Sequence, residues 1–235
     1  MTRAPRFGVA AVLVALGGGC TTSEPVRHAN LGLTPAGDFQ LRIASVEERK
    51  FATVVRQRFD FSCGSAALAT LLHYHYGAAT SEEDTFRGMW SGGDHTKIRK
   101  LGFSLLDMKR YLEARGARAN GFKVTLAQVE AARVPGIALL TTAGYRHFVV
   151  VKGIAGGEIL IGDPSLGLRM MSADEFTKAW NGILFVLDSD LDRGRQSFNA
   201  PNQWANYNRA PLGSRLADPI SLQALSLTAP FYRDF

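Results

Sequence analysis

Gln57-Arg58-Phe59-Asp60-Phe61-Ser62-Cys63-Gly64-Ser65-Ala66-Ala67-Leu68-Ala69-Thr70-Leu71-Leu72 reads as a polar loop running into an apolar helix, with a cysteine at the point of change. Ala66, Ala67, Leu68, Ala69, Leu71 and Leu72 leave the helix apolar almost all round, so it belongs in the centre of a fold. Asp60 or Ser62 can cap it. A thiol at a helix N-terminus feels the positive end of the dipole, which makes its thiolate easier to form. Gly64 and Ser65 are small and leave room for a group to approach the sulfur.

The chain has 235 residues, 46% of them hydrophobic and 20% charged, enough for one medium domain with extensions. Its net charge is +6, but Lys and Arg are spread along the chain. No basic run carries interleaved aromatics, which argues against nucleic-acid binding. A disulfide between Cys20 and Cys63 is disfavoured because Cys20 lies in an export-type segment. Structural zinc at Cys63 lacks partners, since His73 and His75 are two apart and cannot share a helix face.

Residues 1–20 have the layout of a secretory signal: Arg3 and Arg6, an apolar run from Phe7 to Leu16, then Gly17-Gly18-Gly19-Cys20. The run is too short to span a bilayer as a mature helix. A cysteine after small residues resembles a bacterial lipoprotein box, which implies lipidation of Cys20 and a periplasmic protein anchored to a membrane. Residues 21–49 read as a tether and N-terminal extension, with a strand from Phe39 to Val46. Phe51 to Arg56 is a second strand candidate.

Beyond the central helix, Gly77 reads as a stop. Thr80 or Ser81 opens a helix with Phe86, Met89 and Trp90 on its apolar face, and Ser91 to His95 reads as a loop. Ser104 opens a helix ending at Gly116. Thr125 and Gln128 form a capping box for another, to Ala132. The period then changes. Strands are expected at Gly136–Thr142, His147–Gly153, Glu158–Gly162 and Leu168–Met171. Between them, residues 143–146 and Gly156-Gly157 are turns. Ser172 and Glu175 form a second capping box, and Ile183–Leu187 closes the sheet. Helices followed by an antiparallel sheet make an α+β arrangement. Residues 189–235 read as a tail, extended or partly disordered, with one short helix candidate at Leu222–Leu227.

A cysteine nucleophile needs a base, a group to orient that base, and donors for the oxyanion. His147 starts a buried strand just after a turn, where its ring can face a cleft between helix and sheet. Asp163 ends the adjacent strand and can reach the far imidazole nitrogen. Gln57, just upstream of Cys63, can point its amide back beside the sulfur. With the Cys63 backbone N–H it would make an oxyanion hole. Singly, each residue has a plain structural explanation; their joint order is what points to chemistry.

The pattern Gln57-x5-Cys63-Gly64-Ser65-Ala66-Ala67-Leu68-Ala69, then His147-Phe148-Val149-Val150-Val151, then Asp163-Pro164, resembles peptidase family C39, over about residues 50–188. Phe176 through Trp180-Asn181-Gly182 is similar to the family's closing segment. The resemblance implies a papain-like cysteine peptidase fold. It assigns Cys63 as nucleophile, His147 as general base and then acid, Asp163 as orienter and Gln57 as oxyanion donor, with no metal or organic cofactor. Familiar members are fused to an ABC transporter; this sequence carries no Gly-x-x-x-x-Gly-Lys-Ser/Thr motif. It looks more like stand-alone, exported C39-like proteins of Gram-negative bacteria, some of which accompany functional-amyloid secretion. The expected partners are therefore an exported or amyloid-forming polypeptide substrate, a secretion system, and a membrane through the lipid anchor. Three other readings stay open: amidase or transpeptidase work on cell wall with the same residues, a periplasmic binding module that does not cut, and a structural lipoprotein with Cys63 as core.

Overall fold

The computed structural model describes residues 28–30, 40–42, 44–142, 144–205 and 207. The signal-like segment, the lipidation candidate Cys20 and the Leu222–Leu227 helix candidate lie outside the described residues. The chain divides into two units, Met1–Ala44 and Ser45–Phe235. In the first, β1 (His28–Asn30) and β2 (Gln40–Arg42) form an antiparallel pair.

The second unit opens with a correction to the sequence reading. The strand candidate Phe51–Arg56 does not form, and the one at Phe39–Val46 stops short of Val46: helix α1 (Val46–Phe51) stands between them, fixed by a reciprocal capping box between Ser45 and Glu48, and residues 52–56 are turn and irregular backbone. The apolar alternation before it does not carry through, because Glu47 to Lys50 are charged helix formers.

Next comes the central helix α2 (Cys63–Tyr76), in which every residue from Cys63 to Leu72 is buried. Gly77 ends it in the left-handed conformation at φ 63°, where a side chain would be strained. Helices α3 (Glu82–Gly92), α4 (His95–Leu101) and α5 (Leu105–Glu113) follow, each opened by a side-chain cap from Ser81, Asp94 or Ser104. The expected loop before His95 shrinks to two residues, since Asp94 caps α4 directly.

The sheet begins with β3 (Ala119–Lys123), a strand the sequence reading does not anticipate. After helix α6 (Leu126–Ala132) come β4 (Gly136–Thr142), β5 (Tyr145–Ala155), β6 (Glu158–Asp163) and β7 (Gly167–Ser172). Helix α7 (Ala173–Ala179) and strand β8 (Trp180–Leu187) complete it. The six strands run in the order β3-β8-β4-β5-β6-β7, all pairs antiparallel. So β8 does not close the sheet; it lies inside, between β4 and β3.

Both faces of the sheet are covered, which explains why β5 reads as a continuous apolar run and not an alternation. Phe148, Val150, Ile137 and Phe185 pack with Leu68, Leu71 and Met108 of α2 and α5. Val149, Val151, Ile159 and Ile161 pack with Val129 of α6 and Phe176 of α7 on the other side. Gly64 is needed for close approach, because a Cβ there would lie 3.0 Å from Met108 and 3.1 Å from Phe103.

Residues 191–204 also depart from the expected extended tail. They form α8 (Leu191–Ser197), capped by Asp190, and α9 (Pro201–Trp204), with proline at its start. Phe198 between them is buried against the sheet cluster, and that burial orders the segment. Among the described residues, no helix is long and apolar enough to cross a membrane.

Candidate active site

Three elements bring the site together: the start of α2, the start of β5 and the end of β6. In the β5–β6 ladder Val150 pairs with Gly162. One step further along that register, Asp163 comes beside Val149, on the same face as His147. Alternation and register together thus aim the carboxylate at the imidazole.

The His147 Nε2 to Asp163 Oδ1 distance is 2.8 Å, and the two side chains are only 12% and 2% exposed. That bond commits Nε2 and leaves Nδ1 for the sulfur of Cys63. Burial alone would lower the imidazole pKa. The hydrogen bond and charge of Asp163, with the hydrogen bond and charge of Cys63, outweigh it and push the value up to about 9. Nδ1 is itself buried and closes no hydrogen bond of ordinary geometry, a looseness usual in unliganded sites. Cys63 is a free thiol.

Asp163 is held on every side. Its Oδ1 accepts from His147 and from the backbone N–H groups of Ser165 at 2.9 Å and Leu166 at 3.2 Å. Burial would raise its pKa, but the bond and charge of His147, the Ser165 N–H and the charge of Arg169 keep the carboxyl below its usual range. The Asp163-Pro164 pair therefore works as more than a turn.

Gln57 is brought to the same turn through its main chain, its N–H donating to the Pro164 carbonyl at 3.0 Å. Its Nε2 donates to the Phe59 carbonyl at 3.3 Å, and Oε1 is buried without a partner among the described residues. One amide hydrogen is committed within the loop, and the second is free.

Neither capping candidate caps α2. Ser62 occupies the cap position with no side-chain bond to its helix. Its hydroxyl donates to the buried carboxylate of Glu82, 2.5 Å away, and accepts from the Phe59 N–H. Glu82 also accepts from the Arg58 N–H at 3.0 Å. The first N–H groups of α2, beside the sulfur, thus have no side-chain acceptor among the described residues, and such a helix end suits an oxyanion.

The sequence reading singles out neither Glu82 nor Arg169. Neither has a local signal, since each matters through a partner distant in sequence. Trp90 and His95 stack on each other with ring centroids 4.3 Å apart. Tyr145, read as turn, starts β5 and stacks on His147 at 5.9 Å. Among the described residues no group of three or more His, Cys, Asp or Glu side chains converges as a metal site requires.

A cysteine at the N-terminus of a buried helix, facing a histidine and acid on an antiparallel sheet, defines the papain-like class of cysteine peptidases. The chain belongs to the peptidase C39 family, whose model matches residues 52–191, and it is a peptidase. It is 43% identical over 169 residues to the "Probable functional amyloid protease FapD" of Pseudomonas aeruginosa, covering 72% of this chain and 75% of that one. The protein of the same name from Pseudomonas fluorescens is 42% identical over 161 residues, covering 68% and 71%. Among solved structures, the peptidase domain of Streptococcus ComA, a bi-functional ABC transporter, superposes with a TM-score of 0.50 at 22% identity. That match covers 57% of this chain and 96% of that domain, and it supports the fold.

Proposed function

We propose that this peptidase cleaves a peptide bond in an exported polypeptide by acyl transfer through Cys63, and that the polypeptide belongs to a functional-amyloid secretion pathway. His147 takes the thiol proton, and the thiolate attacks the scissile carbonyl. The tetrahedral oxyanion is met by the N–H groups at the start of α2 and by the second amide hydrogen of Gln57. Removing one such donor typically costs about 10²–10³ in kcat. His147 then protonates the leaving amine, and the C–N bond breaks. It next draws a proton from water, whose oxygen attacks the thioester and releases the carboxylic acid. Asp163 holds the imidazole in the tautomer this cycle needs.

One observation carries the reading: the 2.8 Å His147–Asp163 bond, which leaves the opposite ring nitrogen to the sulfur. The amyloid substrate class rests on the FapD-named relatives. The test is cleavage of a fluorogenic peptide library by the full chain, alongside Cys63→Ala and His147→Ala. Continued turnover in either variant would refute the mechanism.

The same reading places the protein in the periplasm, lipid-anchored at Cys20. Membrane fractionation of wild type and Cys20→Ala tests this; an unchanged membrane share in the variant removes the anchor.

A further inference from the structure

We propose that Arg169 is a positioning residue of this site, clamping the second oxygen of Asp163 so that the carboxylate stays charged throughout the proton cycle. The proposal rests on the cysteine-peptidase reading above. Arg169 Nε lies 3.1 Å from Asp163 Oδ2, and the side chain is 30% exposed against 2% for the aspartate. Oδ1 already carries three donors, His147 and the Ser165 and Leu166 N–H groups, whereas among the described residues Oδ2 has Arg169 alone.

The hairpin dictates this contact. Asp163 pairs with Gly167 and Ile161 with Arg169 in the β6–β7 ladder, so Arg169 stands diagonal to Asp163 on the same face. Gly167, at φ 80°, has no side chain to block the reach.

The chemistry needs a second cation here. While His147 is protonated, the imidazolium balances the buried carboxylate. Once the proton passes to the leaving amine, the imidazole is neutral, and a buried carboxylate without a counter-charge is costly. Arg169 supplies that charge at this stage. By sharing the carboxylate, it also limits the hold of Asp163 on the imidazolium, so the proton can leave.

Other charged and titratable groups around the pair are few among the described residues. Cys63 faces the imidazole from α2, Tyr145 stacks on it with Asp60 near the phenol, and Lys50 of α1 lies against Gly167, although the ion pairs of Asp163 are with His147 and Arg169. Tyr207 adjoins Arg169 and donates its hydroxyl to the Leu168 carbonyl. Of these only Lys50 is a cation, and the ion pair on Asp163 Oδ2 is made by Arg169.

The experiment is an NMR titration of the His147 ring in the full chain, comparing wild type, Arg169→Met and Arg169→Lys, with steady-state kinetics alongside. The backbone N–H groups keep Oδ1 in place when the guanidinium is removed. The expected result in Arg169→Met is therefore an upward shift of the His147 titration by about one pH unit. It is accompanied by a fall in kcat of about tenfold or more with KM nearly unchanged, and Arg169→Lys restores part of both. An unmoved or lowered titration, or a change in KM alone, overturns the proposal, since Arg169 would then be structural or bind substrate. If Arg169→Met does not fold, Arg169→Gln decides, because it removes the charge and keeps a polar side chain of similar length; no upward shift there overturns the proposal. The titration needs no substrate, so it tests the clamp even if Cys63→Ala shows the peptidase mechanism to be wrong.

Discussion

The hydroxyl of Ser62 lies 2.5 Å from a carboxylate oxygen of Glu82, twenty residues on, and not on the helix that Ser62 precedes. A serine at this position ordinarily caps its own helix, and that is how sequence grammar reads it. Here the cap is given up, and the helix end beside Cys63 is left open. Glu82 also holds the Arg58 N–H, so a single buried acid sets the course of the loop that leads to Cys63.

Glu82→Ala removes the acceptor of the part-buried Arg58 N–H, while the Ser62 hydroxyl can turn to the Phe59 carbonyl 2.9 Å away. The expected loss of stability is about 1–3 kcal/mol, read by urea denaturation. A loosened loop also lowers kcat more than it raises KM. Ser62→Ala removes one of these bonds and lies between the variant and wild type. A Glu82→Ala protein as stable and active as wild type would show that the loop holds its shape without the acid.

In the proposed mechanism, the raised pKa of His147 sets the alkaline limit of activity. The imidazolium must protonate the leaving amine, so kcat/KM falls as pH rises through about 9. Asp163→Asn keeps the shape and removes the charge. The His147 titration then drops well below 9, the alkaline limb moves with it, and kcat falls by about 10²–10⁴-fold. In stability terms, a raised basic group contributes fully below its unfolded value of 6.5 and loses that contribution as pH rises through about 9. The lowered carboxyl contributes above its unfolded value of 3.8 and loses that contribution as pH falls through its folded pKa. Wild type should therefore exceed Asp163→Asn most between these limits, by about 2 kcal/mol after allowing for partial exposure. Denaturation curves across pH test this; a constant gap would mean the pair is not linked to folding.

Much of this arrangement is visible in the residues themselves. The Cys63 helix, the run at His147 and the capping boxes at Thr125–Gln128 and Ser172–Glu175 are local patterns, and all of them form. Local grammar fails where a partner decides. Strand β3, Ala-Asn-Gly-Phe-Lys, has poor strand propensity and exists because β8 pairs with it. Helices α8 and α9 are ordered by burying Phe198. The α1 capping box at Ser45 and Glu48 is legible in the residues, but the apolar alternation before it suggests a strand. The candidate site residues are singled out by motif order. Arg169 and Glu82 are not, because a hairpin diagonal and a helix–loop contact leave no trace at sequence level.

Lys152 gives the last prediction. It is fully buried, and its Nζ donates to the Thr53 carbonyl at 2.8 Å, beneath the segment leading to Gln57. Among the described residues no carboxylate pairs with it. His75, also buried, is its titratable neighbour, and its own pKa is held well below 6.5, first by burial and then by Lys152. Burial lowers the Lys152 pKa from 10.5 to about 7. Between those values the unfolded chain binds a proton that the folded one does not, so stability rises with pH across the window. Below about 7 both states are protonated, and the cost of the buried charge is present in full. Lys152→Met removes this titration, while the His147 contribution stays the same in both proteins and cancels in the difference. Wild type should therefore gain on Lys152→Met by about 1 kcal/mol per pH unit from neutrality toward pH 10 in urea denaturation. Parallel curves for the two proteins would mean that Lys152 titrates in the fold as it does in water. The amine would then have to reach solvent or a counter-charge, contrary to its place under α2.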